Sequence, residues 1–177
     1  PSWRSGRGTS SGGSHCTDIH VHTGPTLAEG HNEDWGGGVS ALWYLSAYSS
    51  ANTSFPELNC AGLAYPGALV GWAVAWNKHG LYHTQNGLIP CRTYPTGLAQ
   101  VFVQRRALCR ATDSVSYVRA LTVPGWATGA ALNFVDIRSS ELLNIEILGS
   151  NSSVLRVQKN YSHMNLIKHP NRSNLPA

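Results

Sequence analysis

A single helical stretch, from about Gly97 to Leu121, interrupts a chain whose remaining pattern is that of β-strands. "CTDIHVHT" at 16–23 alternates strictly, with Ile19 and Val21 on one face and Asp18, His20 and His22 on the other. The Gly24-Pro25 pair then predicts a turn into "LAEGHNED", so the two segments read as a hairpin. Further strands are expected in "VSALWYLSAYSS", in "NCAGLAYPGALVGWAVAWN" and, after the "NKHG" turn, in "LYHTQNGLI". Beyond the helical stretch come "ALNFVDIRS", "LLNIEIL" and "SVLRVQK". Asp113, just after Thr112, is placed to cap a second short helix inside the helical region. Strands on both sides of one helical segment make an α+β chain with largely antiparallel sheets, not an alternating parallel barrel.

The 177 residues fit one domain, and a hydrophobic content of 42% is enough for a core. Residues 1–15 are rich in glycine and serine and aperiodic, the composition of a solvated linker, so the folded unit is expected to be 16–177. The abrupt ends suggest part of a longer protein. The net charge of +4 is scattered, with Arg105, Arg106 and Arg110 the densest group, so a nucleic-acid surface is not expected. No apolar run approaches the ~18 residues of a membrane span. Cys16, Cys60, Cys91 and Cys109 contain no CxxC pair, which argues against structural zinc and prescribes no disulfide framework. Sequons at Asn52, Asn151, Asn160 and Asn171 leave a secretory route open beside a cytoplasmic, vesicular or peroxisomal one.

Two chemistries compete at the first strand. His20 and His22, at i and i+2, point the same way and with Asp18 form a candidate metal set for a hydrolase. Against this, barrel metallohydrolases need later ligands at successive strand ends, and none is evident. The second reading starts from Cys16, at the junction of the Gly/Ser segment and the first strand. If the chain were cut after His15, Cys16 would carry both a thiol and an α-amine of pKa ~7.7–8.0, a nucleophile with its own base.

Four motifs in order carry a family resemblance: "CTD" at 16–18, "GHNEDW" at 30–35, "LVGWAVAWNKHGLYHTQNGL" at 69–88 and "SHMN" at 162–165. From Cys16 to about Asn165 the chain resembles the N-terminal-nucleophile hydrolases related to acyl-coenzyme A:6-aminopenicillanate acyltransferase and the β-alanyl-dopamine/carcinine hydrolases. The resemblance implies an αββα sandwich of two mainly antiparallel sheets, incomplete at the C-terminus. It implies Cys16 as a nucleophile exposed by self-cleavage from a pro-segment that stays as a partner chain. Asp34 would orient the new amine, Asn86 would stabilise the oxyanion, and Asn165 matches the asparagine of the late motif. The implied substrate is a small N-acyl amide, with an acyl-coenzyme A donor by analogy and no metal or organic cofactor. A metal-dependent hydrolase using Asp18, His20 and His22, and a non-catalytic partial domain, are the alternatives.

Overall fold

The computed structural model describes residues 16–24, 26–34, 42–49, 59–88 and 93–169. The linker at 1–15, Cys91, Trp35 and the sequons at Asn52 and Asn171 lie outside them. Ten strands and two helices appear: β1 (Thr17–Thr23), β2 (Thr26–Asn32), β3 (Tyr44–Ser49), β4 (Asn59–Ala64), β5 (Ala75–Asn77), β6 (Leu81–Leu88), α1 (Gln100–Arg110), α2 (Ser114–Leu121), β7 (Gly129–Asp136), β8 (Glu141–Leu148), β9 (Asn151–Arg156) and β10 (Tyr161–His163). They form a three-stranded sheet in the order β10-β1-β2 and a seven-stranded sheet in the order β3-β4-β5-β6-β7-β8-β9. Every pairing between strands is antiparallel. The expected two-sheet sandwich is therefore present, and β10 is the strand that the sequence pattern did not suggest. Three residues are too few to show a period.

The helical region breaks where Asp113 stands. Its side chain accepts the Ser116 backbone N–H at 2.7 Å and completes a capping box with Ser116. Both helices cover one face of the large sheet. Ala107, Leu108, Tyr117 and Leu121 pack there against Leu81, Trp126, Leu132, Phe134 and Ile145. A disulfide between Cys60 of β4 and Cys109 of α1 fastens this layer to the sheet. Alternation decides which β6 side chain meets which layer. Gln85 bonds Gln100 and Gln104 of α1, whereas Thr84 bonds Asp18 of the small sheet.

The layer between the two sheets is polar. Asp18, His20, Thr84, Asn86, Asn133, Asn144, Glu146 and His163 are all fully buried there or at its edge. Ile19 and Val21, by contrast, face outward and are exposed. The first strand thus turns its apolar side out because its polar side has hydrogen-bond partners across the sandwich.

His83 marks the helix side of the same β6. Its Nε2–H donates to the Gly71 carbonyl at 3.2 Å, which leaves Nδ1 to accept the Tyr117 hydroxyl at 2.5 Å. Gly71 has φ +98°, and a Cβ there would sit 2.9 Å from the Arg105 Cα, so the approach of loop to helix requires glycine. Complete burial lowers His83 to about 4, so it folds neutral. The unfolded chain, with its histidine near 6.5, binds that proton first, and stability is lost as pH falls from about 6.5 toward 4. Between pH 7 and 5 the loss from this residue is about 2 kcal/mol. Glu29, raised to about 8 by burial, acts in the opposite direction over the same range. Urea unfolding at both pH values should therefore be compared between the wild type and His83→Gln. The wild type should lose about 2 kcal/mol more than the variant; equal losses would contradict the assignment.

Candidate active site around Cys16

The hairpin register builds the site. A two-residue loop pairs Thr23 with Thr26, so His20 opposes Glu29 and Asp18 opposes His31. One pair further on the same face, Cys16 meets Glu33. The Cys16 thiol donates to Glu33 Oε2 at 3.6 Å. His31 bridges two carboxylates, with Nδ1 2.8 Å from Asp18 Oδ1 and Nε2 3.0 Å from Glu33 Oε2. The result is a continuous row: thiol, carboxylate, imidazole, carboxylate.

Burial sets the charges in this row. Desolvation pushes the Cys16 thiol up to about 12, and the neighbouring Glu33 adds to it, while a hydrogen bond from the Asp34 backbone N–H pulls the other way. Cys16 therefore holds a protonated thiol at neutral pH. For His31 burial opposes the charge, but bonding and attraction to Asp18 and Glu33 prevail and raise the imidazole to about 9. It is an imidazolium at neutral pH and donates from both nitrogens. Glu29 is protonated at neutral pH, so its acid proton serves the Thr84 hydroxyl at 2.6 Å, and Thr84 in turn donates to Asp18 at 2.5 Å.

Asn86 lies fully buried on β6, and its Oδ1 accepts from Asn133 Nδ2 at 3.0 Å. Its own Nδ2 has no acceptor among the described residues. Asn165 donates to the carbonyl of Gly87, the residue after Asn86, at 2.8 Å, which ties the chain after β10 to the end of β6. The contacts His163 to Glu146 and Tyr161 to Asn144 show how the sheets are stacked. Asp18 and Glu29 both meet Thr84, and Leu27 lies with Leu81 and Tyr82, so β2 runs toward the Asn86 end of β6 as it goes from Leu27 to Glu33, beside Cys16. Cys16, which precedes Asp18, thus lies toward the Asn86 end of β6.

Asp34 is exposed, and its carboxylate accepts from Asn32 at 2.9 Å. What reaches the thiol is its backbone N–H, so its side-chain role is not what places it beside Cys16. His31 and Glu33 are not among the site residues expected from the sequence, where Asp18 enters only in the alternative metal set. Counting pairs back from the two-residue turn would have found all three.

The alternative metal set, Asp18, His20 and His22, does not come together around one point. Positions i and i+2 share a face but stand roughly 6.6 Å apart along a strand. Asp18 is occupied by His31 and Thr84, and His20 Nε2 lies 3.2 Å from Asn133 Oδ1. Among the described residues, the set whose ligand atoms all fall within 4.8 Å of one another is Cys16, His31 and Glu33. A cavity of about 600 Å³ with a mixed lining, including Leu27, Trp76, Tyr82 and Val135 beside Glu29 and Asn77, opens at the start of β6, the opposite end from Asn86.

Comparison with known proteins bears on the fold. An N-acylethanolamine-hydrolyzing acid amidase ortholog from Caenorhabditis elegans superposes with a TM-score of 0.62 at 13% identity, over 84% of this chain and 69% of that one. The chain has the N-terminal-nucleophile hydrolase-like αββα fold. Penicillin V acylase from Agrobacterium tumefaciens overlaps more loosely, with a TM-score of 0.43 at 13% identity over 82% of this chain and 42% of that one, too loosely to bear on the fold. No family model and no curated sequence matches the chain.

Proposed function

We propose that the chain is an amide hydrolase whose nucleophile is the Cys16 thiol, freed as an N-terminal residue by cleavage after His15. The observation that carries this reading is the free thiol of Cys16, buried at the head of β1 against a carboxylate and a backbone N–H, in a fold shared with an acid amidase. A thiol held near 12 needs a base before it can attack. In the uncut chain Glu33 is the group in position, and His31 and Asp18 hold it there.

Self-cleavage then follows from that pair. The thiol attacks the His15 carbonyl carbon as Glu33 takes its proton. The C–N bond breaks, the α-amine of Cys16 leaves protonated, and water hydrolyses the resulting thioester. In the cleaved chain the α-amine, near pKa ~7.7–8.0, becomes the base. The Cys16 sulfur attacks the substrate carbonyl, and the amine product departs with the proton. Water releases the acyl group. Asn86 supplies the oxyanion donor through its unspent Nδ2–H bonds, Asn165 holds the adjoining backbone, and Asp34 positions Cys16 through its backbone N–H. The resemblance to the β-alanyl-dopamine/carcinine hydrolases and the penicillin-precursor acyltransferase gives the substrate class, a small N-acyl amide.

We also place the protein on the secretory route. Disulfides persist in oxidising compartments, and the Cys60–Cys109 bridge is joined by exposed sequons at Asn151 and Asn160.

Processing provides the test. Intact-mass analysis of recombinant protein should show two chains, the heavier beginning at Cys16. Glu33→Gln should slow that cleavage by ~10²–10⁴-fold, the usual loss on removing a general base. An intact chain that still hydrolyses an N-acyl amide would refute the mechanism.

A further inference from the structure

We infer that Cys16 Sγ, His31 Nε2 and Glu33 Oε2 form a binding site for a zinc-class divalent cation, and that occupancy of this site silences the thiol. The second half rests on the amide-hydrolase reading above; the first does not.

The geometry matches the ion. Zinc takes sulfur at about 2.3 Å and nitrogen or oxygen at about 2.0–2.2 Å in a tetrahedron, which puts ligand atoms about 3.3–3.6 Å apart. The Cys16 Sγ to Glu33 Oε2 distance is 3.6 Å and the His31 Nε2 to Glu33 Oε2 distance is 3.0 Å. All three atoms lie within 4.8 Å of one another, so a central ion needs only small side-chain shifts. One thiolate, one imidazole and one carboxylate make a borderline-soft donor set that suits zinc better than magnesium or calcium.

A supporting shell is already built. His31 donates Nδ1–H to Asp18 Oδ1 at 2.8 Å, which leaves Nε2 directed at the site. A carboxylate on the far nitrogen is the usual way a ligating histidine is oriented. Asp18 is fully buried and is itself held by Thr84, so the carboxylate that orients the imidazole is fixed in turn. On binding, the Cys16 thiol and His31 Nε2 each release a proton to solvent, and the ion takes the freed lone pairs. The fourth position is left to water or, in a chain cut before Cys16, to its α-amine. A sulfur bound to the ion has no free electron pair aimed at a substrate carbonyl, so metal and acyl group compete for one atom.

The test uses the full chain freed of metal with a chelator and titrated with Co²⁺, followed by its thiolate-to-cobalt charge-transfer absorption and by competition with Zn²⁺. One saturable equivalent is expected. Cys16→Ser should remove the band. Asp18→Asn should weaken affinity by ~10- to 100-fold, and His31→Ala and Glu33→Gln by more than that. His79→Ala, in a turn remote from the set, should change nothing. If His31→Ala loses its circular-dichroism spectrum, Glu33→Gln with the wild-type spectrum decides alone. Absence of the band, or wild-type affinity in a folded His31 or Glu33 variant, overturns the site. Turnover that continues at saturating Zn²⁺ overturns the silencing. A chain that binds cobalt through these ligands yet never hydrolyses an N-acyl amide keeps the site and removes the hydrolase reading.

Discussion

Cys16→Ala should lower kcat for an N-acyl amide by about five to six orders of magnitude, the scale on which enzymes lose rate when the attacking atom is removed. No other described thiol can replace it. Cys60 and Cys109 are joined to each other, and Cys16 is the free one among the described residues. The same substitution should leave the chain uncut, because the scissile carbonyl then has no nucleophile beside it. Asn86→Ala supplies the graded comparison. Its buried Nδ2 donates to no described group, whereas its Oδ1 accepts from Asn133, so the substitution should cost about 1–3 kcal/mol of stability besides weakening the proposed oxyanion contact. A fall of ~10²–10³ in kcat is expected, with KM nearly constant. Steady-state kinetics on both purified variants measures this. Full turnover in Cys16→Ala would end the proposed mechanism. A rise in KM alone in Asn86→Ala would make that residue a substrate contact and not an oxyanion donor.

Reduction of the Cys60–Cys109 bridge should destabilise the fold by about 4 kcal/mol, from the loop entropy restored to the unfolded chain. The two cysteines are 49 residues apart in sequence, and the closed loop contains β5, β6 and most of α1. Both are buried, so each thiol left behind is packed and not solvated. Urea unfolding with and without reductant should show the midpoint fall and the slope m rise, since an unlinked chain exposes more surface. A change under ~1 kcal/mol would mean that packing between α1 and the large sheet holds this region without the bridge.

Much of the sandwich was legible in the sequence because it rests on local rules. Alternation marked β1, the Gly24-Pro25 and "NKHG" turn signals marked β2 and β6, and Asp113 marked the break between α1 and α2. Alternation also showed that Asp18 and His20 share a face, but not that this face points inward. That outcome depends on Thr84 and Asn133, supplied by strands 66 and 113 residues away. The pairing of Cys60 with Cys109 was hidden for the same reason, since it depends on α1 folding back over β4.

The candidate site divides along the same line. Cys16 was evident from its place at the start of the first strand, and the hairpin register by itself sets His31 and Glu33 beside it. That is a local consequence of a two-residue turn. Asn86 and Asn165 belong to a different scale. Asn165 reaches Gly87 across 78 residues, and Cys16 comes to their end of β6 only because β10 stacks the small sheet on β8. Local pairing determined which groups surround the thiol. Only the stacking of the two sheets, across a layer whose buried polar groups find hydrogen-bond partners, decided which end of β6 the thiol lies toward.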